Sequence, residues 1–335
     1  MGNDRPGKLC FEKYQYRDRD IELICSEYRL GEPTIIHRDI GGGFNANVKV
    51  ETLTGIYVIR FLSKCTTSEH ISYENEVLKM LKRSGVPVVI PLRNRRGRST
   101  SKLHGHFVQV TPFIDAIAFD VSPEQVWSSG HTFRRFHKIL EGFKDGPVPL
   151  WSHYPSKRIL RTGLSRLQEL QDELSLERLS EVRRIYEVIR HGWKKGTYRN
   201  PLSTTIIHGD WHFWNQLYTE DGDVCCVLDL DFIQRAERVQ DLGYTLWNIF
   251  AIFSTDSGVD ICHNFLNGYG KLPRDEVKML PLAVAKSALF FICSTAFRKN
   301  VVSKFNFHFD RQLPIIEWML SSEGQDTIEE MCTTE

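Results

Sequence analysis

The stretch His208-Gly209-Asp210-Trp211-His212-Phe213-Trp214-Asn215, followed by Asp229 within Val227-Leu228-Asp229-Leu230-Asp231-Phe232, decides the reading of this chain. Transfer of a phosphoryl group needs one carboxylate to orient an attacking hydroxyl and accept its proton, and two oxygen ligands for the Mg²⁺ ions that neutralise the phosphates. Asp210 fits the first role, as the catalytic residue, and Asn215 and Asp229 fit the second, as metal ligands. Between them, Gln216-Leu217-Tyr218 and Val224-Cys225-Cys226-Val227-Leu228 are β-prone, and Glu220-Asp221-Gly222-Asp223 holds the Asp-Gly pair of a tight turn. Paired strands lie roughly 5 Å apart, so a single hairpin brings Asn215 and Asp229 to one place. Taken singly, Asp210 could cap a turn and Asn215 could bond its own loop. The whole constellation argues for a site.

The pattern H-x-D-x-x-x-x-N with a second Asp beyond a hairpin is the spacing of the protein-kinase catalytic loop and its metal-binding Asp. Gly209 stands where eukaryotic-type protein kinases carry Arg, and at these residues the chain resembles the aminoglycoside phosphotransferase and choline kinase-like superfamily. Homoserine kinase-like, methylthioribose kinase-like and spore-coat kinase-like proteins belong to it. Downstream, Arg238-Val239-Gln240-Asp241-Leu242-Gly243 is similar to the segment that carries the family's buried Asp, at Asp241. Upstream, Gly130-His131-Thr132-Phe133-Arg134-Arg135-Phe136-His137 is similar to a family helix ending in Leu-His or Phe-His. The resemblance covers residues 35 to 250 and leaves the last 85 or so unmatched. It implies an α+β, bilobal protein-kinase-like fold: a small antiparallel sheet plus one helix over residues 1–113, and a larger, mainly helical lobe over 114–335.

Composition sets bounds on the rest. At 335 residues with 41% hydrophobic and 25% charged residues, the chain is long enough for two lobes with substantial cores. Its 43 Lys and Arg nearly balance 42 Asp and Glu, so no overall field points to nucleic acid or an anionic membrane. No apolar run approaches the ~20 residues of a membrane span, and the start lacks a secretory core, so a cytoplasmic protein is expected. Eight cysteines without a C-x-x-C pair are expected to be reduced thiols. His208 and His212 are four apart, but they lack the helix and third ligand of a zinc site.

Along the N-terminal third, Thr34-Ile35-Ile36-His37 and Val48-Lys49-Val50-Glu51 flank the loop from Asp39 to Asn47, and Tyr57 to Leu62 follows a Thr54-Gly55 turn. Gly41, Gly42 and Gly43 allow close backbone approach to a phosphate. A plain glycine-rich hairpin would read the same without the loop at 208–215. Ser72 to Lys82 has a helical period that turns Glu74 inward with Val77, Leu78 and Leu81, and Arg60 on the neighbouring strand is its expected partner, free to reach phosphate oxygens as well. The commonest kinase pattern has Lys at Arg60. Val88-Val89-Ile90-Pro91-Leu92 and His106 to Val110 read as two more strands joined by a solvated basic turn, Arg93 to Arg98. By resemblance, Thr111-Pro112-Phe113-Ile114-Asp115 is the interlobe hinge, with Thr111 and Phe113 beside the adenine.

Beyond the hinge the pattern is helical. Ser122-Pro123-Glu124 starts a helix, His137 reads as a hydrogen-bonded core residue, and further helices are expected around Leu167, Val182 to Ile189, Leu246 to Phe250, Glu276 to Phe291 and Leu313 to Leu320. Ser321 to Glu335 is polar and expected to fray. Trp211, Phe213 and Trp214 could face a cationic or sugar-like acceptor or simply pack the loop. The function expected is ATP- and Mg²⁺-dependent transfer of a phosphoryl group to a hydroxyl of a small molecule: a metabolite, amino sugar or antibiotic. A protein Ser/Thr kinase of the same fold and a pseudokinase without turnover are the alternatives, and the near-neutral charge weighs against a polycationic acceptor.

Overall fold

The computed structural model describes residues 13–333 apart from 39, 200 and 254, so Cys10 and Asp39 lie outside it. The described residues begin with a helix α1 (Asp18–Tyr28) that corrects the expectation of a single helix in the N-terminal part. Ile21, Ile24, Cys25 and Tyr28 follow the i, i+3, i+4, i+7 stripe of an amphipathic helix. Asp20 caps its start by accepting the Arg17 backbone N–H at 2.9 Å. The stripe packs on β2 (Ala46–Thr52), β3 (Gly55–Phe61) and β5 (His106–Pro112), burying Val48, Val50, Ile59, Phe61, Val108 and Val110. With β1 (Pro33–His37) and β4 (Ser101–Leu103) these strands form an antiparallel sheet in the order β1-β2-β3-β5-β4. The fifth strand is therefore Ser101–Leu103 and not Val88 to Leu92. Pro87 and Pro91 deprive that segment of ladder donors, and it makes one bridge, Val88 to Val227, and one bond, Leu92 N–H to Val110 O at 2.7 Å. The basic run is the turn expected: Asn94 Oδ1 accepts the N–H groups of Arg96 and Arg98, each at 3.0 Å.

Strand alternation then sorts β3 residues between two environments. Ile59 and Phe61 face α1, whereas Val58 and Arg60 face the cleft below. Helix α2 (Ser68–Arg83) starts on the Thr67 side chain, which accepts the His70 N–H at 3.2 Å. It buries Val77, Leu78 and Leu81 in the larger core, shared with the helical part of the chain.

That part runs through α3 (Pro123–Leu140), α4 (Lys157–Gln168), α5 (Leu176–Arg199), α6 (Arg238–Ile252), α7 (Thr255–Tyr269), α8 (Arg274–Ser294), α9 (Val301–Leu320) and α10 (Ser322–Thr333). Two short ribbons interrupt it, β6 (Thr204–Ile207) with β9 (Gln234–Glu237) and the expected hairpin β7 (Gln216–Tyr218) with β8 (Val224–Val227). The α8 region, Arg274–Phe297, is long and apolar enough to cross a membrane, but most of it is buried among the other helices, which makes it the central core helix. The last helix corrects the expectation of a frayed tail, because Ile328 and Met331 recur on one face and are buried. Six cysteines are free thiols, whereas Cys65 is disulfide-bonded, against the expectation of reduced thiols throughout.

Two backbone clamps hold the sheet over the β7–β8 hairpin. Val227 donates its N–H to Pro87 O at 2.7 Å, and Ile117 and Tyr218 exchange N–H···O bonds of 2.9 Å in both directions.

Candidate functional site

The loop between β6 and β7 is shaped by one buried carboxylate. Asp241, in the first turn of α6, accepts the backbone N–H groups of His208 at 2.7 Å and Gly209 at 2.9 Å, and lies 3.0 Å from His137 Nε2. His137 is thus a hydrogen-bonded core residue, as expected, its other ring nitrogen 2.9 Å from the Tyr269 hydroxyl. Gly209 takes φ +79°, and a Cβ there would lie 2.9 Å from Phe232 O. A residue other than Gly would push the loop off the turn that carries Phe232.

The loop presents Asp210 with three neighbours. Tyr244 donates its hydroxyl to Asp210 Oδ1, His153 Nδ1 lies 3.2 Å from the same oxygen, and Asn215 Nδ2 donates to Oδ2 at 3.3 Å and to the Asp210 carbonyl at 3.0 Å. His212 Nε2 is 3.7 Å away. Burial alone would raise the Asp210 carboxyl, but His153, His212 and the Tyr244 hydroxyl hold it well below the usual carboxylate range. It is an ionised acceptor at neutral pH. Tyr244 is pushed well above its ordinary value by burial and by the Asp210 charge, so it remains a donor. His208 cannot serve a metal: its Nε2 lies 3.0 Å from Leu228 O and its Nδ1 accepts the Asp210 N–H at 3.3 Å.

Asn215 and Asp229 meet as the hairpin requires. Leu228 donates its N–H to Asn215 O at 2.8 Å, closing the ribbon at its open end, and Gly222 turns its tip with φ +84°. Asp229 itself adopts φ +60°, an uncommon conformation for a non-glycine residue that often marks function. Both line a cavity of about 400 Å³ between the sheet and the hairpin, together with Gly41, Gly42, Arg60, Glu74, Thr111 and Phe113. Gly43 and Asp210 are not among its lining residues. Gly41 and Gly42 have φ of +98° and +107°, while Gly43 lies outside the left-handed region and a Cβ there meets nothing within 4 Å.

One expected contact is not made. Arg60 does not hold Glu74. Its Nη2 binds Asp229 Oδ1 at 2.8 Å and Asp231 Oδ1 at 3.4 Å. Three carboxyls compete for one guanidinium, and burial, with Asp231 adding to it, pushes the Glu74 carboxyl up to about 8, so at neutral pH it is mainly uncharged. Asp231, raised to about 6 by burial and by Asp229, still carries charge at neutral pH and accepts from Asn45 Nδ2. Glu74 Oε2 is buried without a hydrogen-bond partner among the described residues.

The hinge is also finer than expected. Phe113 donates its N–H to Ile56 O at 2.9 Å, so strand alternation turns the Pro112 carbonyl and the Ile114 N–H toward the opposite edge, on the cavity side. Of the loop aromatics, Trp211 and Phe213 are buried. Trp211 stacks on Phe133 at 4.2 Å, and Trp214 alone of the three is exposed and lines the cavity. His153, Tyr244 and Asn45 carry no sequence signal of their role, because each reaches the site from a distant segment.

A donor set of Asn215, Asp229 and Asp231 is all oxygen and suits a hard divalent cation. Among the described residues no group of three or more His, Cys, Asp or Glu could hold a metal unaided. The Arg60 guanidinium already neutralises these same carboxylates, a cationic stand-in at the position.

A small sheet clamped over a hairpin, with an ionised Asp210 bonded to Asn215 at the edge of a cavity that Asn215 and Asp229 line, is the arrangement of a protein-kinase-like fold. Residues 36–280 match the model of the phosphotransferase enzyme family, and the chain belongs to that family. It is similar to a homoserine kinase of Caulobacter sp. (strain K31), at 22% identity over 241 residues covering 68% of this chain and 69% of that one. Among solved structures, a microcompartment-associated aminopropanol kinase superposes with a TM-score of 0.70 at 14% identity, over 92% of this chain and 98% of that one. An amicoumacin kinase in complex with AMP-PNP, Ca²⁺ and amicoumacin gives 0.65 at 13% identity, over 89% and 93%. By that membership the chain is a phosphotransferase.

Proposed function

We propose that the protein transfers the γ-phosphoryl group of ATP to a hydroxyl of a small molecule, residues 1–113 covering the nucleotide and residues 114–335 holding the acceptor. The observation that carries this reading is the join between Asp210 and Asn215, 3.3 Å apart, at the edge of a cavity that Asn215 and Asp229 share with the glycine loop and the hinge. The purine edge meets the Pro112 carbonyl and the Ile114 N–H, between Thr111 and Phe113. Gly41 and Gly42 bring their backbone over the phosphates, and Arg60 binds phosphate oxygens on release from Asp229. Asn215 and Asp229, with Asp231 behind them, would hold Mg²⁺, which when bound neutralises charge on the transferring phosphate. The amicoumacin kinase holds AMP-PNP and Ca²⁺, which supports a nucleotide and a divalent ion here.

Asp210 orients the acceptor hydroxyl and takes its proton. Tyr244 and His153 fix the carboxylate so that its ionised form is presented without reorganisation, the main source of rate in such sites. Incubating the protein with ATP, Mg²⁺ and pooled alcohols should release ADP. Asp210→Ala should lower that release by about 100- to 10,000-fold with the melting temperature nearly unchanged, and Asp229→Ala should abolish it. A fully active Asp229→Ala protein would refute the assignment, and nucleotide binding with no ADP release from any alcohol would favour a pseudokinase.

A further inference from the structure

The acceptor side of Asp210 has a chemistry that the reaction class alone does not specify. Away from the nucleotide cavity, Asp210 is walled by aromatic rings: His153 stacks on Tyr244 at 5.7 Å and lies 5.7 Å from Phe291, which stacks on Trp247 at 4.0 Å. The wall continues to His308 on α9, 6.1 Å from Phe291. A second path runs along α6. Tyr244, Asn248 and Ala251 share one helix face at i, i+4 and i+7. Tyr244 touches Asp210, and the Ala251 carbonyl accepts from Arg311 on α9. Seven residues of helix span roughly 10 Å.

At the far end, Lys304, His308 and Arg311 repeat the same i, i+4, i+7 spacing, so they present one basic face of α9. The nearby Asp310 is taken by Arg178 at 2.9 Å. Burial together with Arg298, Arg311 and Lys304 drives His308 down to about 4, with no carboxylate among the influences on it. Three buried polar atoms along this side, His212 Nδ1, Asn248 Oδ1 and His308 Nδ1, have no hydrogen-bond partner among the described residues. Unsatisfied buried groups in a native fold call for an explanation, and a ligand that completes them supplies one.

We infer that the phosphoryl acceptor carries, besides its hydroxyl, an anionic group held by Lys304, His308 and Arg311, with an apolar segment between the two ends lying along Phe291 and Trp247. The inference rests on Asp210 being the site of transfer. It names a hydroxylated carboxylate or phosphate with roughly 10 Å between its two ends, and it excludes polycations, which this face would repel.

Two measurements on the full chain test it. Phenylacetate and phenyl phosphate, titrated while the His308 ring is followed by NMR, should bind saturably and at least tenfold more tightly than benzyl alcohol, and the tighter of the two anions names the group. Lys304→Gln should weaken anion binding severalfold and Lys304→Glu further. Arg311→Gln should weaken it as well, with Lys304→Glu as the arm that leaves the Ala251 contact intact. Anions binding no better than benzyl alcohol, or anion affinity unchanged in Lys304→Glu, would overturn the inference. In the second measurement, hydroxy acids should support faster ADP release than their methyl esters, and equal rates would count against the inference. Asp210→Asn should keep anion binding and lose turnover. Anion binding without ADP release from any alcohol would instead sink the phosphotransferase reading.

Discussion

At the residue scale, the glycines separate those the backbone requires from those it merely contains. Gly209 is the residue on which the family resemblance turned, and its φ of +79° with Phe232 O at 2.9 Å from a built Cβ gives the physical reason. Gly209→Ala should destabilise by about 1–3 kcal/mol, read as a drop in melting temperature, and should lower turnover because Asp210 is the next residue. In the glycine loop, Gly42 has φ +107° and a Cβ there would meet Asn47 Nδ2 at 2.5 Å, while Gly43 has open space. Gly42→Ala should therefore weaken nucleotide binding severalfold, whereas Gly43→Ala should change stability by less than about 0.5 kcal/mol and leave binding nearly intact. Equal effects at the two positions would show that the loop is a plain turn.

At the element scale, the loop that carries Asp210 owes its shape to α6. Asp241 satisfies two loop amides and meets His137 on α3, so Asp241→Ala leaves three buried polar groups without their partner. A loss of about 3–5 kcal/mol is expected, measurable by denaturant unfolding, and Asp241→Asn should lose less because it keeps one acceptor oxygen. Local signals explain which elements the sequence revealed. The β7–β8 hairpin was legible because an Asp-Gly turn and two β-prone runs are contiguous, and α2 was legible with Glu74 turned inward because a helical period needs only one helix. The α1 stripe of Ile21, Ile24, Cys25 and Tyr28 was equally local, and it went unread beside the charged residues 17–20 and 22. Val88 to Leu92 has strand composition, but its prolines leave it unable to join the ladder. The partner of Arg60 lay beyond reach, because the choice among Glu74, Asp229 and Asp231 depends on how deeply each carboxyl is buried once the lobes meet. His153 and Tyr244 were hidden for the same reason, since nothing near either residue in the chain indicates that Asp210 lies beside it.

At the scale of the whole molecule, buried ionisable groups set opposing pH trends. Burial is the largest influence on His70, His137, His208, His212 and His308 and lowers all five, His308 to about 4. Below pH 6.5 the unfolded chain therefore binds protons that the folded chain refuses, and stability falls as pH drops through that range. Burial acts in the opposite sense on Glu74, raised to about 8, and on Asp231, raised to about 6. Their folded forms retain protons that the unfolded carboxylates release above about pH 4, so their contribution is complete below that pH and is lost as pH rises through 6 for Asp231 and 8 for Glu74. Between pH 4 and 6.5 the five histidines oppose the two carboxyls. Above 6.5 the Glu74 slope remains. Melting temperature measured in EDTA should decline as pH rises from 6.5 to 8. Glu74→Gln should remove the decline on the alkaline side and melt higher than wild type at pH 8.5, while at pH 5 the two proteins should melt close together. A Glu74→Gln protein that kept the alkaline slope would place the titrating group elsewhere.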